Sequence, residues 1–315
     1  MAVNHKVVIE AVLRGAREAA AVKSRIVQGA AGAGLTLVGA VLATLALSAP
    51  EVGAAAPGDT AQMGEARSGR VTIDLPEVVG DIAVVGGKPG RPIVVLDAGH
   101  GGRDPGAISV SGSATEKDLT LALTRELRDR LVERGRVRVA LTRSDDRYLT
   151  LEQRAAIARR LGASLYLSLH MDSAPNALAQ GATVYSLSDV ASDAGAAQLA
   201  RKENAAAGPY SGAADGSVQA ILADLALRDQ MNSSAELAER LVRKASGQVL
   251  LRPEPHRFAA FHVLKQAAVP AVLFEAGYIS NVDDELRLVS AKGRAPIVAA
   301  LAQAIETDVA MRAVR

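Results

Sequence analysis

The sequence predicts an α/β fold, with a single domain built on a largely parallel, twisted sheet flanked by helices. Short apolar runs typical of buried strands alternate with longer amphipathic segments typical of helices, starting at PIVVLD, residues 92–97. Polar residues follow the ends of several of these runs, where parallel sheets bind their ligands. Aromatic residues make up only 3% of the 315-residue chain, so we expect a core of Leu, Val, Ile and Ala.

The individual elements follow from local patterns within residues 91–312. Leucine recurs every four positions across a helix at 116–135, which Gly135 ends. Thr150 and Gln153 form a capping box that begins a second helix, at 150–162. The remaining strands are predicted at 137–142, 164–170, 181–187 and 271–275, and the remaining helices at 192–206, 217–231, 233–246, from Asn281 and at 294–312.

Residues 1–56 have the pattern of a secretory signal. Basic residues outnumber acidic ones in the first stretch, an uncharged apolar run spans 29–50, and small residues follow it. The alternative is a retained membrane anchor, because about 20 apolar residues can span a bilayer. Both interpretations predict export, so we expect a periplasmic protein or its membrane-anchored form. Residues 57–90 are interpreted as a linker with an edge strand at 71–80.

Composition restricts the chemistry of any site. The chain contains no cysteine, which excludes disulfides and thiolate metal sites. A metal site would therefore need histidines and carboxylates. The net charge of +2 indicates no broad basic surface, so nucleic acid is not the expected partner.

Four polar residues are the candidates for a site. His100, His170 and Glu275 lie at or just past the ends of predicted strands, and Glu116 precedes a helix. The topology should bring them to one edge of the sheet. Two histidines and one carboxylate suit zinc and leave a fourth position for water, whose proton Glu275 could accept. From the pattern alone, each histidine taken singly is more often structural.

Other polar residues have less specific interpretations. Asp97 could orient His100 through its second ring nitrogen, or it could bind backbone groups in the turn. Asp104 is expected only to form a turn. Arg143, Asp146 and Arg154 are interpreted as a structural set of ion pairs that braces the start of a helix, with a substrate role as the alternative. Asn281 is expected to cap a helix rather than to bind a ligand. His256 and His262 are expected to be ordinary histidines, with a place along the substrate groove as the alternative for one of them.

Several sequence blocks resemble, in the same order, those of the zinc-dependent N-acetylmuramoyl-L-alanine amidases of the type 3 family. The resemblance covers residues 91–312 and implies that zinc is held by His100, Glu116 and His170, with Glu275 as the catalytic carboxylate. Met171 and Asp172 depart from the Ala and Asn that many relatives carry after the histidine. The matching blocks are VVLDAGHGGRDPGA, TEKDLTLAL, LTRSDDRYLTLEQRAAIA, YLSLHMDSA, GATVY and VPAVLFEAGYISN.

The resemblance implies a reaction and a substrate. Zinc-activated water would hydrolyse the amide between N-acetylmuramic acid and the L-alanine of the peptidoglycan stem peptide, with Glu275 as general base. This chemistry would serve cell-wall remodelling and daughter-cell separation, and we expect a monomer. Two alternatives remain open: a zinc carboxypeptidase or endopeptidase acting within the stem peptide, and a non-catalytic wall-binding protein.

The connection at 188–232 is longer than a crossover requires. One interpretation is a solvated surface excursion. The other is a regulatory insertion, because the segment resembles the insertion in division-associated members of the family, in which a helix covers the active site. Glu203 lies in the first helical pattern and could reach the open zinc position. A LytM-like periplasmic activator would then engage 188–232, with an apolar face at 218–225 as a candidate docking surface.

Overall fold

The computed structural model describes residues 81–205 and 218–314. A seven-stranded sheet runs through this part of the chain in the order β1-β3-β2-β4-β7-β5-β6. Its strands are β1 Val84–Val85, β2 Ile93–Ala98, β3 Arg138–Leu141, β4 Leu165–Asp172, β5 Ala182–Leu187, β6 Leu251–Ala259 and β7 Ala271–Tyr278. The helices are α1 Glu116–Arg134, α2 Leu151–Arg160, α3 Ala194–Ala205, α4 Val218–Ala245, α5 His262–Ala267, α6 Val282–Leu288 and α7 Ala291–Arg312.

The sheet is mixed, and its central strands are parallel. β2 pairs in parallel with β3 and β4, and β4 pairs in parallel with β7. β5 lies antiparallel to β7 and parallel to β6, and β1 lies antiparallel to β3. The predicted α/β class with a largely parallel sheet is confirmed, and the carboxyl ends of β2, β4 and β7 meet at one edge.

Two apolar layers cover the two faces of the sheet. Successive strand residues point to opposite faces, so Val94 and Leu96 join one core cluster while Val95 joins the other. The first cluster packs under α1, α4 and α7, and the second under α2, α3 and α5. The leucine stripe of α1 is buried in the first cluster, as its spacing predicts.

Local signals predict the ends of two helices correctly. Gly135 ends α1 in the left-handed region, at φ 65°, and its N–H donates to the carbonyl oxygens of Leu131 and Val132. Thr150 and Gln153 form both hydrogen bonds of the capping box at the start of α2. These ends depend on neighbours in the chain, which is why the sequence reveals them.

The structure corrects the prediction of two helices at 217–231 and 233–246. A single helix, α4, spans Val218–Ala245. Ser234 would suit a helix start, but its hydroxyl donates to the carbonyl oxygen of Gln230 at 2.6 Å and accepts from the N–H of Ala271 at 2.9 Å. The helix therefore continues, because the polar side chain finds its partners without a break.

Two elements escape the sequence patterns. β6 contains Pro253 and Pro255 and is tolerated because it lies at the edge of the sheet, paired only with β5. The short helix α5 was also not predicted. At the other edge, β1 lies within the predicted linker, whereas the predicted edge strand at 71–80 and the predicted leader at 1–56 lie outside the described residues. None of the helices in the described ranges is long and apolar enough to cross a bilayer.

Candidate active site

Three of the predicted residues meet at the edge where β2 and β4 end. His100 follows β2, His170 lies near the end of β4, and Glu116 is the first residue of α1. Glu116 Oε1 lies 3.0 Å from His100 Nε2 and 3.0 Å from His170 Nδ1. The two imidazole rings are nearly perpendicular, with centroids 4.9 Å apart. All three side chains are buried.

Glycines make this close approach possible. The His170 ring packs directly against Gly99, where an added Cβ would lie 2.4 Å from His170 Cε1. Gly106 has a φ of 66°, and a Cβ there would lie 2.6 Å from Glu116 Oε2 and 2.7 Å from His100 Cδ2. His100 itself adopts a left-handed conformation, at φ 59°. The glycine-rich loop therefore lets the backbone approach the side chains it presents.

The geometry of the donor atoms fits a metal ion better than it fits a set of hydrogen bonds. His100 Nε2 is buried and has no hydrogen-bond partner among the described residues, although Glu116 Oε1 lies within reach. The approach is short but poorly directed, as for atoms that face a common point. Two imidazole nitrogens and a carboxylate oxygen are a donor set that zinc favours. The residues present therefore fit the predicted ion.

A fourth donor comes from α3. Glu203 Oε2 lies 3.7 Å from His100 Nε2 and 3.5 Å from His170 Nδ1. Donor atoms of His100, His170 and Glu203 all lie within 4.8 Å of one another, and Glu203 is buried. Asn204 anchors this end of α3, since its side chain donates to Ala260 O at 2.8 Å and accepts from His262 N at 2.9 Å. The helix therefore lies over the donor set.

The structure corrects the hypothesis that Asp97 orients His100. The partner of His100 Nδ1 is Asp104, whose Oδ2 lies at 2.9 Å and whose Oδ1 accepts from Gly106 N at 3.1 Å. Asp104 thus forms the predicted turn and also holds the ring of a candidate ligand. Its position four residues after His100 was the available signal. Glu116 is held by the N–H groups of Ala107 and Met171.

Asp97 instead forms a buried network below the site. Its oxygens accept from Thr142 at 2.6 Å, Ser168 at 2.7 Å and Arg154 at 2.8 Å. Burial favours the neutral acid, but Arg154 and the two hydroxyls outweigh it and hold the pKa of Asp97 well below its usual range. Arg154 also donates to the carbonyl oxygen of His100 at 2.6 Å. Asp97 therefore acts on the histidine loop only through Arg154.

The other predicted ion pairs form a different pattern. Arg154 pairs with Asp97, but Arg143 donates to the carbonyl oxygens of Ala98 and Gly99. Asp146 lies on the outside, where it binds Lys117 at 2.7 Å. The three residues thus brace the same loop without pairing with one another. The predicted cap is confirmed for Asn281, and His256 bonds with Ser186 on the edge strands.

The surrounding carboxylates give the site a strong attraction for positive charge. Burial alone would lower the pKa of His100, but Glu116, Asp104 and Glu203 outweigh burial and raise it to about 10. Burial alone would raise the pKa of Glu116, but His100 and His170 outweigh burial and hold this pKa well below its usual range. A cavity in which imidazole binds a proton this firmly is also one that attracts a cation.

Glu275 lies beside the donor set on β7, directly opposite His170 in the strand register. It is buried, and its Oε2 has no hydrogen-bond partner in the described part of the chain. Burial raises the pKa of Glu275 well above its usual value, and the nearby charges of Asp172, Glu116 and Glu203 add to the shift. Once ionised, a carboxylate with this proton affinity and an uncommitted oxygen can act as a general base.

Comparison with known proteins agrees with this geometry. The family described as N-acetylmuramoyl-L-alanine amidase matches residues 94–307. Amidase AmiA of Escherichia coli K12 is 38% identical over 220 residues, covering 69% of this chain and 75% of the relative. AmiA of Salmonella typhimurium is 37% identical over 219 residues, covering 68% of this chain and 75% of the relative.

Solved structures share the fold. The catalytic domain of the amidase CwlV from Bacillus (Paenibacillus) polymyxa is 25% identical and superposes with a TM-score of 0.50, covering 69% of this chain and 97% of that domain. The family match spans most of the described residues and includes His100, Glu116, His170 and Glu275. From the sequence match and the shared fold together, the chain belongs to the N-acetylmuramoyl-L-alanine amidase family.

Proposed function

We propose that the protein hydrolyses the amide bond between N-acetylmuramic acid and the L-alanine of the peptidoglycan stem peptide, as the names of its relatives describe for them. The observation that carries this proposal is the convergence of His100, Glu116 and His170 beside Glu275, whose Oε2 is uncommitted. An amide hydrolase needs an electrophilic centre and a base within reach of the attacking water.

The residues divide the chemistry between them. His100, Glu116 and His170 would hold zinc, which when bound supplies polarisation of the amide carbonyl and acidification of water. Glu275 accepts a proton from the attacking water while the oxygen of that water adds to the carbonyl carbon. When the carbon–nitrogen bond breaks, Glu275 returns that proton to the departing nitrogen of L-alanine. Asp104 keeps the His100 ring in the orientation that this arrangement needs.

The proposal includes regulation by α3. Glu203 offers an oxygen near both histidine nitrogens, so it would compete with water for the zinc position while the helix excludes the glycan strand. An activator must bind the displaced arrangement more tightly, because a ligand shifts an equilibrium only by its differential affinity. Leu222 and Leu225 are exposed on α4 and are a docking surface for a LytM-like partner. We place the enzyme in the periplasm, as a monomer acting in daughter-cell separation.

Mass spectrometry of digested muropeptides tests the cleaved bond. Zinc-loaded full-length protein should release the whole stem peptide, with a free L-alanine amino group, from the glycan. A carboxypeptidase or endopeptidase would leave L-alanine on the glycan, and a wall-binding protein would release nothing. If the unsubstituted protein releases no peptide, release by the Glu203→Ala variant would show that the site was covered rather than inactive. A sample from which zinc has been removed with a chelator is the control.

A further inference from the structure

A cavity of about 450 Å³, with several charged side chains in its wall, opens beside the proposed metal site, and the mechanism above does not use it. It adjoins the site because Asp172 in its wall lies two residues after His170 on β4. The walls come from β4, β5, β6, β7 and α3. The charged and aromatic groups that matter here are Asp172, Tyr185, Asp193, Lys202, Arg252 and Arg257.

Arg257 is a cation of this cavity that keeps a buried N–H group without a partner among the described residues. It lies on β6 beside Tyr185, and its side chain is only 12% exposed. Its Nη1 donates to Asp193 Oδ2, while its Nε is buried and has no hydrogen-bond partner among the described residues. A guanidinium can bind a carboxylate through two parallel N–H groups. The contact with Asp193 therefore leaves binding capacity for a better-placed carboxylate.

Arg252 contacts a neutral hydroxyl, and Lys202 lies 3.6 Å from Glu203. The hydroxyl of Tyr278 accepts from Arg252 Nη1 and bonds with Asp172, which also accepts from Ser173 N at 2.7 Å. Arg252 and Asp172 are thus linked through one hydroxyl. When α3 moves away, Asp193 and Lys202 leave with it, and Arg257 is the guanidinium of the wall that loses its carboxylate partner.

Two carboxylates of the insertion occupy two positions that attract anions. Asp193 caps the start of α3, where its Oδ1 accepts from Ala196 N at 2.9 Å, and it pairs with Arg257. Glu203, near the end of the same helix, faces the histidines. Ten residues of helix at about 1.5 Å each separate the two acids by about 15 Å. An extended peptide covers that distance with about four residues.

We propose that Arg257 binds a carboxylate of the third or fourth residue of the stem peptide, and that α3 takes the place of this acidic peptide at both ends. The inference rests on the proposed function, which puts the scissile bond at the zinc position. The stem peptide runs from there and carries free carboxylates beyond its first residue. Asp193 and the substrate then compete for Arg257, as Glu203 and water compete at the zinc position.

Calorimetric titration of zinc-loaded full-length protein tests this competition without turnover. The probes are the free tetrapeptide L-Ala-γ-D-Glu-meso-diaminopimelate-D-Ala and the dipeptide L-Ala-D-Glu. Asp193→Asn keeps a capping oxygen but loses the charge, so it should tighten tetrapeptide binding by about threefold or more. Asp189→Asn is the matched control, since Asp189 is exposed and lies 3.9 Å from Lys265. The Asp189→Asn substitution should change neither the affinity for the tetrapeptide nor the affinity for the dipeptide.

A second substitution identifies Arg257 as the receptor. In the Asp193→Asn protein, Arg257→Gln should weaken tetrapeptide binding by about tenfold or more, because a charge-assisted bond is lost, and leave dipeptide binding unchanged. Arg257→Lys keeps the positive charge but lacks the planar guanidinium. Its tetrapeptide affinity should lie between those of the proteins with Arg257 and with Arg257→Gln. Melting temperatures check that each variant folds.

Two results would overturn the inference: an unchanged tetrapeptide affinity in both Arg257 variants, or an equal loss for the dipeptide. The outcome is separate from the muropeptide digest. Tetrapeptide binding that depends on Arg257, in a protein that releases no whole stem peptides, would overturn the proposed amidase function and leave the peptide site standing.

Discussion

At the scale of single residues, two buried polar atoms of the site lack hydrogen-bond partners within the described part of the chain. His100 Nε2 and Glu275 Oε2 are buried without hydrogen-bond partners in the described ranges, whereas Asp97 nearby has three. Leaving a buried polar atom unpaired costs about 1–3 kcal/mol. At this edge of the sheet, a bound ion and a substrate water would supply the missing partners of both atoms.

Glu275→Gln tests the role of the carboxylate. The amide keeps the shape and a polar oxygen but accepts no proton at neutral pH, so turnover should fall by a factor of about 10²–10⁴. Zinc content, measured by elemental analysis, should stay at one ion for each chain because the zinc position is built from other residues. His170→Ala is the contrasting variant and should lose zinc and activity together. Near-normal turnover in Glu275→Gln would remove Glu275 from the mechanism.

At the scale of elements, α3 is held over the site by apolar packing and by polar contacts at both ends. Ala196, Leu199 and Ala200 are buried against the second core cluster. Ser192 exchanges backbone and side-chain hydrogen bonds with Phe258, and Asn204 binds the chain on either side of Phe261. The helix is thus held by many individually weak contacts, which an activator can break in succession.

Glu203→Ala tests whether this docking restrains the enzyme. Removing the carboxylate abolishes its competition for the zinc position and weakens the closed arrangement, so basal wall hydrolysis should rise by about tenfold, equivalent to roughly 1.4 kcal/mol. Arg201→Ala, on the exposed side of the same helix, should leave the rate unchanged. Dye release from labelled peptidoglycan measures both, with zinc content as the check. Full activity of the unsubstituted protein would contradict the proposed inhibition by α3.

At the scale of the whole molecule, stability comes from two aliphatic layers on one sheet. Leu127 is 0% exposed and packs in the cluster beneath α1 and α7. Leu127→Ala should lower the free energy of unfolding by about 2–5 kcal/mol, through lost burial and the cavity left behind. Leu286→Ala is the matched control, because that leucine is 65% exposed and its loss should cost less than about 0.5 kcal/mol. Urea denaturation followed by circular dichroism measures both changes. Equal denaturation midpoints for the two variants would show that Leu127 is not part of the stabilising core.

Features that depend on neighbours in the chain could be predicted from the amino-acid sequence alone. The leucine stripe of α1, its glycine end and the capping box of α2 are all readable because helical contacts recur at short spacing. The alternation of strands and helices predicted the class of the fold. It also placed His100 and His170 at strand ends that meet, since parallel strands share one carboxyl edge. The pattern alone suggested Glu275 as a base, and the family resemblance made the expected roles of Glu116 and Glu275 specific.

Contacts between side chains across the sheet could not be predicted from the sequence and are seen in the three-dimensional structure. Asp97 points towards Ser168 on the neighbouring strand because paired residues share a face, so Asp104 binds His100 instead. Strand β6 tolerates its prolines because it lies at the edge of the sheet, where the N–H groups that proline lacks are not needed for pairing with a further strand. The pairing of Asp193 with Arg257 joins residues 64 positions apart. Such contacts depend on how the whole chain packs, and local sequence patterns do not encode them.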